Sequence, residues 1–101
     1  MSATEEIENL KSLVSQNAAL TDSIVTVYMQ LKAAPTVAEK QVILPQLVAL
    51  LNDFGVMAEK IKDSTIKIFT SSPTTQDINT FKEQMGLYKA AGEKVKAALR
   101  R

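Results

Sequence analysis

Apolar residues recur at alternating steps of three and four along three long segments of this chain, and this spacing constrains the fold most strongly. The repeated positions are Ile7, Leu10, Val14, Asn17, Thr21, Ile24, Tyr28 and Leu31 in the first segment; Ile43, Leu47, Leu50, Phe54, Met57, Ile61, Ser64 and Ile68 in the second; and Ile78, Phe81, Met85, Tyr88, Gly92, Val95 and Leu99 in the third. An average spacing of 3.5 residues places one stripe of each helix against a neighbouring helix. No stretch of comparable length alternates with period two, so strands are not expected.

Two proline-containing breaks separate these segments. Pro35 and Pro73 each stand beside Ser or Thr residues that can cap the next helix. We expect helices at about 3–33, 36–70 and 73–100, with Ser72 as the N-cap of the third helix. Helices of about 30 residues with short connections must fold back on one another. The sequence therefore predicts a single domain over 1–101, an all-α antiparallel up-down-up three-helix bundle.

Pro45 lies inside the second segment. A proline in a helix interior removes a backbone donor and clashes with the carbonyl four residues earlier, at a cost of about 3 kcal/mol. We therefore expect the second helix to be kinked or broken near Pro45.

The composition excludes most catalytic chemistry. The 101 residues include no histidine and no cysteine, so the usual general base, thiolate nucleophile and Cys/His metal sites are missing. The carboxylates lie outside the three stripes, and we interpret Glu5, Glu6 and Glu8 as outward charges that complement a helix N-terminus. We predict a protein that is not an enzyme and has no catalytic residues, no metal site and no cofactor.

The second segment carries more apolar residues than one packing stripe requires. From Val42 to Leu51 the only polar residue is Gln46, and a helix that is apolar all round needs cover on more sides than a three-helix monomer provides. The first segment has extra apolar residues at heptad spacing. We predict a protein–protein interface, for self-association as a homo-oligomer or for docking a partner helix, formed by Val42, Leu44, Val48, Leu51, Leu13, Leu20 and Val27. In the alternative interpretation, both sets are inward-facing flanks of a wide core.

Basic residues concentrate in the second half of the chain. Residues 1–55 contain three basic and six acidic groups, whereas residues 56–101 contain nine basic and five acidic ones. An alternative function is therefore binding to nucleic acid or to an anionic surface through Lys89, Lys94, Lys96, Arg100 and Arg101. A turn of 100° per residue spreads these groups around the helix, and the net charge of +1 is low for a nucleic-acid-binding domain. Nucleic acid is accordingly not the expected partner.

Small or polar residues interrupt the apolar stripes at four positions, Asn17, Thr21, Ser64 and Gly92. Asn17 and Thr21 occupy adjacent layers of the first stripe; we interpret them as a hydrogen-bonded register device or as exposed residues, with a small-ligand cavity as the alternative. Gly92 lies beside Ala90 and Ala91 and is expected to let two helix backbones approach closely.

The N-terminal residues are acidic and polar, unlike a signal peptide, and no uninterrupted apolar run approaches the ~20 residues that span a bilayer. We expect a soluble, cytoplasmic protein without a membrane span, with secretion by a leaderless route left open.

Overall fold

The computed structural model describes residues 2–101, and over this range the chain forms helices α1 (Ala3–Ala33), α2 (Val37–Thr70) and α3 (Thr75–Leu99). The start of α1 contacts both the end of α2, through Glu6 and Ser64, and the start of α3, through Thr4 and Asp77. Helices α1 and α2 are therefore antiparallel, while α1 and α3 run in the same direction. These contacts confirm the predicted all-α, up-down-up three-helix bundle.

Side-chain caps determine where the helices begin. Ser2 forms a capping box with Glu5 at the start of α1, and the Thr36 hydroxyl accepts a hydrogen bond of 3.1 Å from the Glu39 backbone N–H at the start of α2. The predicted start of α3 is wrong by two residues, because Thr74 rather than Ser72 is its N-cap. Thr74 and Asp77 form a capping box there, while Ser72 takes a left-handed conformation with φ of 53°.

Helix α2 continues through Pro45, so of the predicted kink or break the break is not observed. Pro45 cannot donate to the carbonyl of Gln41. Both residues are exposed, so water can reach that carbonyl. After the proline, Leu47, Leu50 and Phe54 pack in the second core cluster, and before it the Lys40 ammonium donates to the Leu31 carbonyl.

The core consists of two apolar clusters. The first contains Ile7, Leu10, Leu13, Val14, Ile61 and Ile68, with Met57, Phe81, Met85 and Tyr88 packed against it. The second contains Ile24, Leu47 and Val95, with Leu20, Val25, Val27, Tyr28, Leu31, Leu50 and Phe54 packed against it. Both clusters contain side chains from all three helices, which shows that the 3.5-residue stripes meet as predicted.

Helix α1 is the central element of the bundle. Its backbone packs closely against α2 and against α3, whereas over residues 2–101 no Cα atom of α2 lies within 8 Å of one in α3. The bundle is about 54 Å long, with a cross-section of 21 × 15 Å. Helices α2 and α3 thus flank α1, and they meet each other through side chains such as Phe69 and Phe81.

Candidate functional site

The four residues of α2 that the sequence predicts as an interface are all exposed. Leu44 and Val48 are 48% exposed, Leu51 is 40% exposed and Val42 is 68% exposed. Leu44, Val48 and Leu51 follow one another at steps of four and three, so they form a single face, which we name the α2 stripe. Val42 lies about 160° around the helix from Leu44 at 100° per residue. The structure therefore brings three of the four residues together and places Val42 apart.

The three predicted interface residues of α1 turn inward instead. Leu13 is buried in the first core cluster. Leu20 and Val27 are half-buried against the second cluster. The three α1 residues therefore lie on inward-facing flanks of the core, as the alternative interpretation has it. Leu13 is not available to a partner.

The α2 stripe lies in a segment without charge. From Gln41 to Asn52 the chain has no ionisable residue, a length of about 18 Å in a helix. The ammonium of Lys40, just before this segment, donates to the Leu31 carbonyl at 3.3 Å. By length and composition α2 is also apolar enough to cross a membrane, and only 11% of the residues in its most apolar 18-residue window are buried within the described fold. What distinguishes α2 is thus exposed, uncharged, apolar surface.

The basic residues of α3 divide between two sides of the helix. Lys89 and Lys96 are seven residues apart and share one side, where the Lys96 ammonium lies 3.8 Å from a Glu93 carboxylate oxygen. Lys94 faces the other way, onto a groove of about 460 Å³ between α1 and α3, and with Arg101 it borders a second groove beside it. Arg100 is exposed near the end of the chain. The five predicted residues therefore do not form one basic surface.

Both residues of the polar layer of α1, Asn17 and Thr21, are buried, and Asn17 is 0% exposed. The Thr21 hydroxyl donates to the Ala18 carbonyl at 2.8 Å. Neither side-chain polar atom of Asn17 has a hydrogen-bond partner among the described residues, so Asn17 is not the expected hydrogen-bonded register device. Thr21 also lines the groove of about 460 Å³ between α1 and α3, whereas Asn17 does not border it.

Two carboxylates, Glu6 and Asp77, are buried, although the carboxylates were predicted to lie outside the packing stripes. Glu6 accepts hydrogen bonds from the Ser64 hydroxyl at 3.3 Å and from the Asn9 amide at 3.4 Å. Glu6 is seven residues before Leu13, so it shares the side of α1 that faces α2. This heptad relation could have revealed its position.

Asp77 joins the start of α3 to the start of α1. Its carboxylate accepts hydrogen bonds from the Thr74 backbone N–H at 3.0 Å and from the Thr4 hydroxyl at 3.2 Å. The Thr74 backbone bond, with smaller contributions from the Thr74 and Thr4 hydroxyls, holds the pKa of Asp77 below its ordinary value against the opposing effect of burial. Among residues 2–101 no group of three or more His, Cys, Asp or Glu residues could hold a metal ion. Glu6 and Asp77 each form a hydrogen bond between two helices.

The chain was compared with protein families, curated proteins and solved structures, and none of them matches it.

Proposed function

We propose that this protein is a non-enzymatic helical interaction module that associates with a second copy of itself through the α2 stripe. The observation that carries the proposal is that Leu44, Val48 and Leu51 stay 40–48% exposed on one helix face. The absence of ionisable residues from Gln41 to Asn52 supports it, because two such segments can meet without like charges facing each other. Surface apolar residues grouped in this way are typical of protein interfaces.

The exposed area indicates weak association. Full burial of one Leu or Val side chain contributes about 1.5–3 kcal/mol, so covering the exposed parts of the stripe in both copies contributes about 4–8 kcal/mol before the cost of association. The cost of association is itself about 4 kcal/mol or more, so the stripe alone supports a dissociation constant no tighter than about 1 mM, which corresponds to a binding free energy of about −4 kcal/mol. The protein is therefore expected to be a monomer when dilute and a dimer when concentrated.

Sedimentation equilibrium or light scattering from about 0.1 mM to about 5 mM, a range that brackets a dissociation constant of about 1 mM, tests the proposal. Leu51→Glu places a charge on the stripe and should abolish the dimer at every concentration. Val56→Glu is the matched control, because Val56 is also an exposed residue of α2 but lies off the stripe. A wild-type protein that stays monomeric throughout, or a dimer that Leu51→Glu leaves intact, would refute self-association through this face.

A further inference from the structure

The groove of about 460 Å³ that Lys94 borders is formed by α1 and α3 alone, and no residue of α2 lines it. We name it the α1–α3 groove. The hydrogen bond from Thr4 to Asp77 sets the register of the two parallel helices, so each α1 residue lies level with the residue 73 positions later. Lys11 marks one end of the groove, and Thr21, level with Lys94, marks the other. These ends are ten residues apart, or about 15 Å along the helices.

The middle of the α1–α3 groove is apolar. Val14 and Ala91 are buried at its floor, and Leu87 is 58% exposed beside them. Of all the residues that line it, only Lys11 and Lys94 are charged. Gly92, which was expected to let two helix backbones approach closely, plays no such part, because a Cβ atom built there meets nothing within 4 Å. The groove is therefore a trough of apolar side chains with one lysine at each end.

The two lysines differ in their surroundings. The Lys11 ammonium lies 3.0 Å from a Glu8 carboxylate oxygen, so its charge is already paired. Within residues 2–101 no aspartate or glutamate oxygen lies within 4.0 Å of the Lys94 ammonium. The α1–α3 groove thus has an available positive charge at the Lys94 end only.

The dimensions of the α1–α3 groove favour one extended chain over a helix. A volume of about 460 Å³ over a length of about 15 Å gives a cross-section of about 30 Å². A helix with its side chains is about 10–12 Å across, so it would lie mostly outside this space, whereas a single alkyl chain lies within it. With C–C bonds of about 1.5 Å, an extended chain of about twelve carbons spans the same length. The volume is also in the range of small-molecule sites, about 300–1,000 Å³.

We propose that the α1–α3 groove binds the anion of a single-chain fatty carboxylic acid, with the carboxylate at Lys94 and the alkyl chain extending past Ala18 and Leu87 toward Lys11. Removing the chain from water supplies most of the binding free energy, and the ammonium–carboxylate contact fixes the direction of the chain. This activity goes beyond self-association, because no residue of the α2 stripe borders the groove.

A titration of the protein with sodium octanoate, decanoate, dodecanoate and tetradecanoate, each below its micelle concentration, tests the proposal by heteronuclear NMR. Amide shifts should concentrate at groove residues such as Ala18, Leu87 and Ala91. Each methylene from eight to twelve carbons should tighten binding about two- to fourfold, since it is partly or fully buried. Beyond about twelve carbons the groove is full, so tetradecanoate should bind no more than about twofold tighter than dodecanoate.

Three results of this titration would overturn the site. They are the absence of shifts with every chain, shifts confined to the α2 stripe, and an affinity that keeps rising at the same rate beyond twelve carbons. Vesicles of phosphatidylglycerol distinguish a free fatty acid from a membrane surface. The protein should stay in the supernatant when the vesicles are sedimented, and co-sedimentation would overturn the assignment to a single free chain.

Charge reversal at the head-group end gives a second test. Lys94→Glu should weaken dodecanoate binding about fivefold or more and make dodecylammonium the tighter ligand. Lys89→Glu is the matched control, because Lys89 is also exposed on α3 but lies about 140° around the helix from Lys94. Its dissociation constant for dodecanoate should stay within about twofold of the wild-type value. Equal losses in the two variants would show a general charge effect and would refute a carboxylate position at Lys94.

Discussion

Replacing Asn17 with leucine should stabilise the monomer, because the carboxamide is fully buried and its oxygen and nitrogen have no partners among the described residues. Asn17 separates the two apolar clusters of the core, one containing Leu10 and the other Ile24. A leucine at this position would join the clusters into one continuous apolar layer.

The magnitude follows from the two orphaned groups. A buried donor or acceptor without a partner costs about 1–3 kcal/mol. Removing both gains about 2–6 kcal/mol, from which about 1–3 kcal/mol is lost because leucine is larger than asparagine and the core is tightly packed. The net expectation for Asn17→Leu is an increase of about 1–3 kcal/mol in the free energy of unfolding. For a domain of this size that corresponds to roughly 5–20 °C in Tm.

Urea and thermal unfolding followed by far-UV circular dichroism, at low micromolar protein, measure this change. Asn79→Leu is the matched control, because Asn79 is exposed on α3 and its replacement should alter stability by no more than about 0.5 kcal/mol. An Asn17→Leu protein that is no more stable than the wild type would refute the reasoning. It would show that the carboxamide is satisfied in solution, for example by a buried water.

Two further variants test the caps and the helix interior. Pro45→Ala restores a backbone N–H that can donate to the exposed Gln41 carbonyl. The free energy of unfolding measured in urea should therefore rise by about 1–3 kcal/mol. An unchanged free energy of unfolding would mean that α2 is already relaxed around the proline. Asp77→Asn removes a carboxylate whose folded-state pKa is lowered, so its stabilisation is present at neutral pH and lost as the pH falls below about 4. In urea titrations, the difference in free energy of unfolding between wild type and Asp77→Asn should therefore shrink as the pH is lowered from 7 to about 3. A difference that stays constant over this range would contradict the stabilising role of the Asp77 carboxylate.

The helices were predictable because their apolar spacing extends over many turns, whereas the start of α3 depended on local chemistry. Thr74 is the N-cap of α3, and its capping-box partner at the third helical position is Asp77. The usual capping-box pattern has Glu or Gln at that position. The prediction therefore chose Ser72 beside Pro73. A kink or break at Pro45 was expected from the cost of a proline in isolation, but α2 is one continuous helix because its packing along α1 outweighs the cost of a break.

The candidate site was predictable only in part, because a helical pattern gives angles along one helix and not the position of its neighbours. The pattern marked Leu13 and Leu51 equally as surplus residues. Leu13 is covered because α1 has a neighbour on each side, whereas Leu51 is exposed because α2 and α3 stay apart. The same reasoning explains why Glu6 is buried against α2.

The central position of α1 also bears on how the molecule opens. Close backbone packing joins α1 to α2 and α1 to α3, but over residues 2–101 it does not join α2 to α3. Either outer helix can thus detach while the other stays paired with α1, at the expense of side-chain contacts such as Phe69 with Phe81. Helix α1 can unfold only when both have left. Amide hydrogens near the middle of α1 therefore exchange with solvent last, and those of α2 and α3 exchange through separate partial openings.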